Sequence, residues 1–327
     1  MRLLGFFRAP LDVWYHASYR LPISGLDASH GLEPRRADYA AWYLLEQGRL
    51  KAHALRSPEP ADFDELAWVH DEAYLESLER PEVLARIFGV DPSDVPVDGV
   101  MDSVRRACGG TVEAARRALQ TRRPALNLLG GFHHAGRARG GGNCPVNDLA
   151  VAIAAVRREG FRGKVWVLDL DAHPPDGTAD CFAGDPDVRI SSLSGSDWGP
   201  LPGVDETVVP PGSGDAAYLE RLEETLRRRP PADLALVVAG GDVLAHDRFG
   251  TLALTLEGVR RRDARVAEVL RGVPSVWLPG GGYRVDAWQV LAGTALVLLG
   301  RPRERIRARS DPLRWQFSRI ARSIPPS

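Results

Sequence analysis

The chain has 327 residues, 44% hydrophobic and 26% charged, with a formal net charge of −1. That balance is ordinary for a globular α/β protein and supplies no global drive toward nucleic acid or an anionic membrane. Cys108, Cys144 and Cys181 are scattered and form no CxxC pair, which argues against a disulfide framework, and no run reaches the ~18 apolar residues of a membrane helix.

The N-terminal apolar run meets Arg8 and Pro10 too soon for a signal-peptide core, so the expected setting is the cytoplasm. LDVWYH (11–16) reads as the first buried strand and ADYAAWYLLEQG as a helix. Polar, proline-bearing loops follow at 55–65 and 88–99, then the helix MDSVRRACGGTVEAARRALQ. The strand PALNLLG (124–130) runs into GGFHHAGRARGGGNCPVND (130–148). There His133 and His134 follow two glycines, and such a pair could supply a base and an acid near neutral pH; alone, it reads equally as two loop histidines.

After the helix VNDLAVAIAAVRREG comes the strand KVWVLDLDA (164–172), which opens DLDAHPPDGT (169–178). Alternation puts Asp169, Asp171 and His173 on one side of an extended segment. VRISSLS (188–194) is a further strand, DAAYLERLEETLRRR a helix, and ADLALVVAG (232–240) a strand ending just before Asp242. TLALTLEGVRRRDARVAEVLRG is helical, PSVWLPGGG (274–282) is a strand delivering Tyr283, and DAWQVLAGTALVLLG is the last helix. From about residue 301 the tail is arginine-rich with Trp315 and Phe317. With Lys51 and Lys164 the only lysines, arginine bias pervades the chain, so the tail reads as a solvated face rather than a nucleic-acid site.

Strand–helix alternation predicts one three-layer α/β domain over 1–327, with a mainly parallel sheet covered on both faces. Ligands collect at the carboxyl ends of such strands, where the histidine pair, Asp171, His173, Asp242 and Tyr283 all fall. Asp171, His173 and Asp242 form a three-ligand nitrogen/oxygen set that suits zinc and also admits iron(II), cobalt or manganese. Tyr283 offers a phenolic donor for a developing oxyanion. The glycine run before it matches neither a dinucleotide fingerprint nor a P-loop.

GGFHHA, DLDAH…DGT, AGGD and GGGY stand in the order and spacing that resembles the zinc-dependent histone deacetylases, and the class IV and bacterial branches most. The resemblance implies an arginase/deacetylase fold with an eight-stranded sheet, and zinc (or iron(II)) on Asp171, His173 and Asp242. It implies His133 oriented by Asp169, and His134, as general base and acid, oriented by Asp176. Tyr283 would hydrogen-bond the substrate carbonyl and the Gly142 backbone carbonyl would accept the amide N–H. Gly281, Asn143 and Phe249 would line the substrate side, and a structural potassium would sit near Asp169 and Ser192. The implied substrate is an acylated lysine, with an acyl-polyamine or small metabolite as the alternative.

Five positions depart from the family pattern. Pro174-Pro175 replace His-Gly, which pushes His173 toward an extended conformation without removing a ligand. Asn143 replaces a tunnel-wall phenylalanine, Phe249 stands where Leu or Met is usual, and Ser194 replaces a histidine. Pro175 also occupies the position where a binuclear ureohydrolase needs its D-A-H-x-D aspartate, which favours one metal. A catalytically silent acyl-ligand module is the remaining alternative, and the intact Tyr283 and histidine pair argue against it.

Overall fold

The apolar runs assemble into one sheet of eight strands: β1 (Asp12–Trp14), β2 (Leu55–Arg56), β3 (Pro124–Asn127), β4 (Val165–Asp169), β5 (Val188–Ser194), β6 (Val204–Val208), β7 (Leu234–Val238) and β8 (Ser275–Leu278). The structure, a computed structural model, describes residues 11–306. The strand order is β2-β1-β3-β8-β7-β4-β5-β6, and every pair is parallel rather than mainly so.

Apolar patterning found six of these strands. It missed β2, two residues long and opening a segment read as a polar loop. It also missed β6, whose sequence VDETV carries two acids and is exposed or half-buried throughout. Both are edge strands, and an edge strand needs no continuous apolar run. In β4, β7 and β8 every residue is buried, so both faces of the central sheet are covered.

The covering helices are α1 (Leu26–His30), α2 (Arg36–Glu46), α3 (Phe63–Ala67), α4 (Glu72–Ser77), α5 (Pro81–Phe88), α6 (Val97–Thr121), α7 (Asp148–Arg158), α8 (Asp176–Cys181), α9 (Asp215–Arg227), α10 (Leu256–Val269) and α11 (Trp288–Leu298). Helix α6 packs on α7, while α9, α10, α11 and α2 pack in succession. All six long helices read from the sequence are present; α1, α3, α4, α5 and α8, none longer than eight residues, are too short for a clear 3.6-residue period. Trp315 and Phe317 of the arginine-rich tail lie outside the described residues.

Strands β3, β8, β7 and β4 are neighbours at the centre of the sheet. Their carboxyl ends therefore open side by side, which places four separated sequence motifs in one crevice.

Candidate active site

The loop after β3 is shaped by residues that sequence reading passed over. Asp148, buried at the start of α7, accepts hydrogen bonds from Gly131 N (3.0 Å), Phe132 N (2.7 Å) and Thr111 Oγ1 (2.6 Å). Asn147 caps α7 through Ala150 N at 2.9 Å and donates to Ala135 O at 3.0 Å. His70 ties the same loop down. Its Nδ1 donates to Gly136 O at 2.9 Å and its Nε2 accepts from Asn147 N at 3.0 Å. Burial lowers the His70 pKa to about 4, so it is neutral and its tautomer is set by these two partners. Together these contacts hold His133 and His134 over the crevice.

At the ends of β4 and β7, Asp171 Oδ2 accepts from Gly281 N at 2.7 Å and Asp242 Oδ1 accepts from Ala172 N at 3.0 Å. The other oxygens, Asp171 Oδ1 and Asp242 Oδ2, face His173 Nδ1 at 3.1 and 3.0 Å. The far nitrogen, His173 Nε2, lies 3.2 Å from Phe249 O, which can only accept, so Nε2 carries the proton and the Nδ1 lone pair faces the carboxylates. Two buried carboxylates and a lone pair pointing at one another repel unless a cation sits among them. Zinc–ligand bonds of about 2.0–2.2 Å in tetrahedral geometry separate ligand atoms by roughly 3.3 Å, close to what is seen. Burial opposes charge on His173, yet the two carboxylates outweigh it and raise its pKa to about 11, which shows how strongly this position favours positive charge. The donor set thus fits one divalent cation, and it is the one such cluster of three among the described residues.

Gly281 needs to be glycine for reasons of space. A Cβ there would lie 2.7 Å from Asp242 Oδ2 and 2.9 Å from Asp171 Oδ2. Expected among the substrate-side residues, it lines the pocket and also holds the Asp171 carboxylate through its N–H. Pro174 and Pro175 do not break this geometry: Pro175 caps the start of α8, leaving Asp176 as its first residue.

His133 Nδ1 bonds Asp169 Oδ2 at 2.8 Å, and His134 Nδ1 bonds Asp176 Oδ1 at 2.7 Å, the pairing the sequence resemblance implied. Burial works against protonation of His133, but Asp169 and Asp171 outweigh it and lift its pKa to about 9. His134 moves the other way, lowered by burial and by its neighbour His133, against the pull of Asp176. Adjacent imidazoles with ring centroids 4.0 Å apart are therefore pushed in opposite directions by their surroundings. Tyr283 is kept protonated by burial and by the Asp171 and Asp242 carboxylates, so its hydroxyl remains a donor. Its backbone N–H donates to Asp247 Oδ2 at 2.8 Å, and Asp247 also accepts from Phe249 N and Gly250 N.

The rim is looser. Gly142 has φ +53°, and a Cβ on it would collide with the His134 ring; its carbonyl accepts from Cys144 Sγ at 3.3 Å. Asn143, also left-handed at φ 63°, donates from Nδ2 to the Tyr283 hydroxyl at 3.2 Å. Phe249 is 40% exposed and meets Tyr283 edge-on at 4.8 Å. Trp198, 51% exposed, stacks on His134 at 5.5 Å and lies 6.0 Å from His173. Sequence reading missed Trp198; the available signal was a tryptophan in the polar turn SGSDWGPLPG just beyond β5.

A pocket open to solvent runs from His133, His134 and Tyr283 inward to Leu21, Leu32 and Arg36. Buried Arg36 donates to Gly280 O at 2.8 Å and Gly282 O at 3.3 Å, bracing the glycine run. Beyond Asp169, Ser192 is its register partner across β4 and β5, and the buried Ser192 hydroxyl also faces the Glu206 carboxylate of β6.

A family model described as the histone deacetylase domain matches residues 30–298. The chain is 30% identical over 306 residues to Histone deacetylase 2 of Arabidopsis thaliana, covering 88% of this chain and 79% of that protein. It is 29% identical to a probable deacetylase of Archaeoglobus fulgidus, covering 79% and 77%. Among solved structures, the acetylpolyamine aminohydrolase of Burkholderia pseudomallei superposes with a TM-score of 0.70 at 21% identity, covering 89% of this chain and 99% of that one. A histone deacetylase homologue complexed with SAHA gives 0.71 at 24% identity, covering 90% and 85%. At those identities the structural likeness establishes the shared fold.

Proposed function

The chain belongs to the histone deacetylase family, and from that premise we propose that it is a metal-dependent amidohydrolase, a single catalytic domain that removes the acyl group from an acylated lysine. The observation that carries the reading is the convergence of His173 Nδ1, Asp171 Oδ1 and Asp242 Oδ2 beside an unequal histidine pair and a protonated tyrosine. A divalent ion held there, zinc or iron(II), would supply Lewis acidity toward water and the amide carbonyl.

The residues divide the remaining work. His134, neutral and half-open to the pocket, takes a proton from the attacking water and later gives it to the departing amine. His133, paired with buried Asp169, keeps its proton and stabilises the negative charge that develops on the carbonyl oxygen. Tyr283 donates its hydroxyl hydrogen to that oxygen. The Gly142 carbonyl has a second lone pair beside the one used by Cys144 and accepts the substrate N–H. Water oxygen bonds to the acyl carbon, the C–N bond breaks, and a carboxylic acid and a free amine leave. Asn143, Phe249 and Trp198 form the wall along which the substrate chain enters. Potassium is the ion proposed for the Asp169–Ser192 position.

Metal analysis of the purified protein, followed by assay with zinc or iron(II), tests this. One equivalent of transition metal and turnover of acyl-lysine peptides ahead of acyl-polyamines is the expected result. Protein that retains no metal and, with either ion added, hydrolyses no acylated amine would sink it. Tight binding of acylated peptide without turnover would instead favour a silent binding module.

A further inference from the structure

We propose that Asn143 is a positioning residue that sets the direction of the Tyr283 hydroxyl, an inference that rests on the deacylase reading above. Asn143 Nδ2 donates to Tyr283 Oη at 3.2 Å. A hydroxyl that accepts there keeps its own hydrogen for another partner, and the carbonyl of a substrate in the same pocket is that partner. The wall residue is held for the task. Its backbone N–H donates to Ile87 O at 3.1 Å, and its φ of 63° is one that Asn tolerates better than branched or aromatic residues.

The arrangement is also costly. Asn143 Oδ1 is buried with no hydrogen-bond partner. Such a group carries an unrepaid desolvation cost that an apolar wall residue would avoid. A penalty of this kind standing against the reacting end of the pocket marks a functional demand rather than a packing solution.

Asn143→Asp keeps the shape and the left-handed backbone but offers only acceptors, so the Tyr283 hydroxyl turns to donate to it. Asn143→Gly keeps the backbone and removes the contact. In the metal-loaded enzyme, kcat is expected to fall about 100-fold in Asn143→Asp and about tenfold in Asn143→Gly, with KM nearly unchanged. In a Tyr283→Phe background, Asn143→Asp should change kcat less than about twofold, because its route of action is gone. A merely structural or general charge effect would persist in that background, and a drop of equal size in both overturns the assignment.

A second readout needs neither metal nor substrate. In protein labelled at tyrosine Cζ, the Tyr283 carbon resonance, identified by its loss in Tyr283→Phe, should shift in Asn143→Asp. An unmoved resonance also overturns the assignment. If the resonance shifts while the metal-loaded wild type cleaves no acylated amine, the hydroxyl orientation stands and the deacylase reading falls.

Discussion

The floor and the rim of the crevice are built on opposite principles. On the floor, Asp169, Asp171, Asp242 and His133 are all buried, and the ligand carboxylates each spend one oxygen on a backbone N–H. Nothing there can move without breaking hydrogen bonds that burial makes expensive to lose. At the rim, Trp198 and Phe249 are largely exposed and meet their neighbours through ring faces and edges. Such contacts tolerate rearrangement, so on the proposed function the floor would fix the reaction and the rim would select what reaches it.

The largest expected effect separates the two at once. Asp242→Ala should abolish metal retention and lower kcat/KM by more than about 10³-fold. Its stability should respond mainly when metal is present. Without metal, burial together with the neighbouring Asp171 carboxylate pushes the Asp242 pKa up to about 7. Removing Asp242 relieves that crowding of charge but leaves the buried Ala172 N–H without its acceptor, so the metal-free variant should melt only slightly below the metal-free wild type. With saturating metal the gap should widen, since only the wild type gains from binding. Calorimetry of both proteins with and without zinc checks this; a metal-free variant that melts far below the metal-free wild type would mean the floor is packed independently of an ion.

A smaller effect tests whether the floor reaches as far as His70. Its pKa in the folded protein, about 4, is below the ordinary value near 6.5 because burial disfavours the charged ring. The unfolded chain therefore binds the proton more readily. The His70 contribution is fully present above pH 6.5 and is lost as pH falls toward 4, amounting to roughly 2–3 kcal/mol by pH 4.5. His70→Gln can keep one donor and one acceptor but does not titrate. Urea unfolding at pH 7 and 4.5 should show a loss smaller by that amount in the variant. Equal losses in both proteins would place the histidine loop outside the cooperative floor.

The same division explains what could be read from sequence. The floor ligands sit at fixed offsets in local motifs, because strand alternation and short turns determine their geometry from neighbouring residues. DLDAH and GGFHH therefore expose directly which side chains share the crevice. Their supports come from distant parts of the chain: Asp148 from α7, His70 between α3 and α4, Arg36 from α2. Each is an ordinary polar residue until the fold brings a loop carbonyl or N–H to it, so no local pattern marks it. Six strands were legible as apolar runs, while β2 and β6 were not, because edge strands lack the double burial that writes such a run. Asn143 stood out as a departure in a wall position, but the hydroxyl it faces lies 140 residues away.

The smallest effect belongs to the rim, and its kinetic form matters more than its size. Trp198 covers the His134 ring from the solvent side with an interplanar angle of 28°. It makes no hydrogen bond to a floor residue among the described contacts, so removing it leaves the ligand geometry and the Asp176–His134 bond in place. What Trp198→Ala removes is apolar surface against which a substrate chain would pack, and stacking of this kind is worth about 0.5–1.5 kcal/mol. KM should rise up to about tenfold, kcat should stay within about threefold, and metal content should not change. Trp198→Phe should restore most of the loss, since a smaller ring still covers the face. If kcat falls while KM holds, Trp198 acts on the reacting atoms through His134, and the boundary between floor and rim must be drawn outside it.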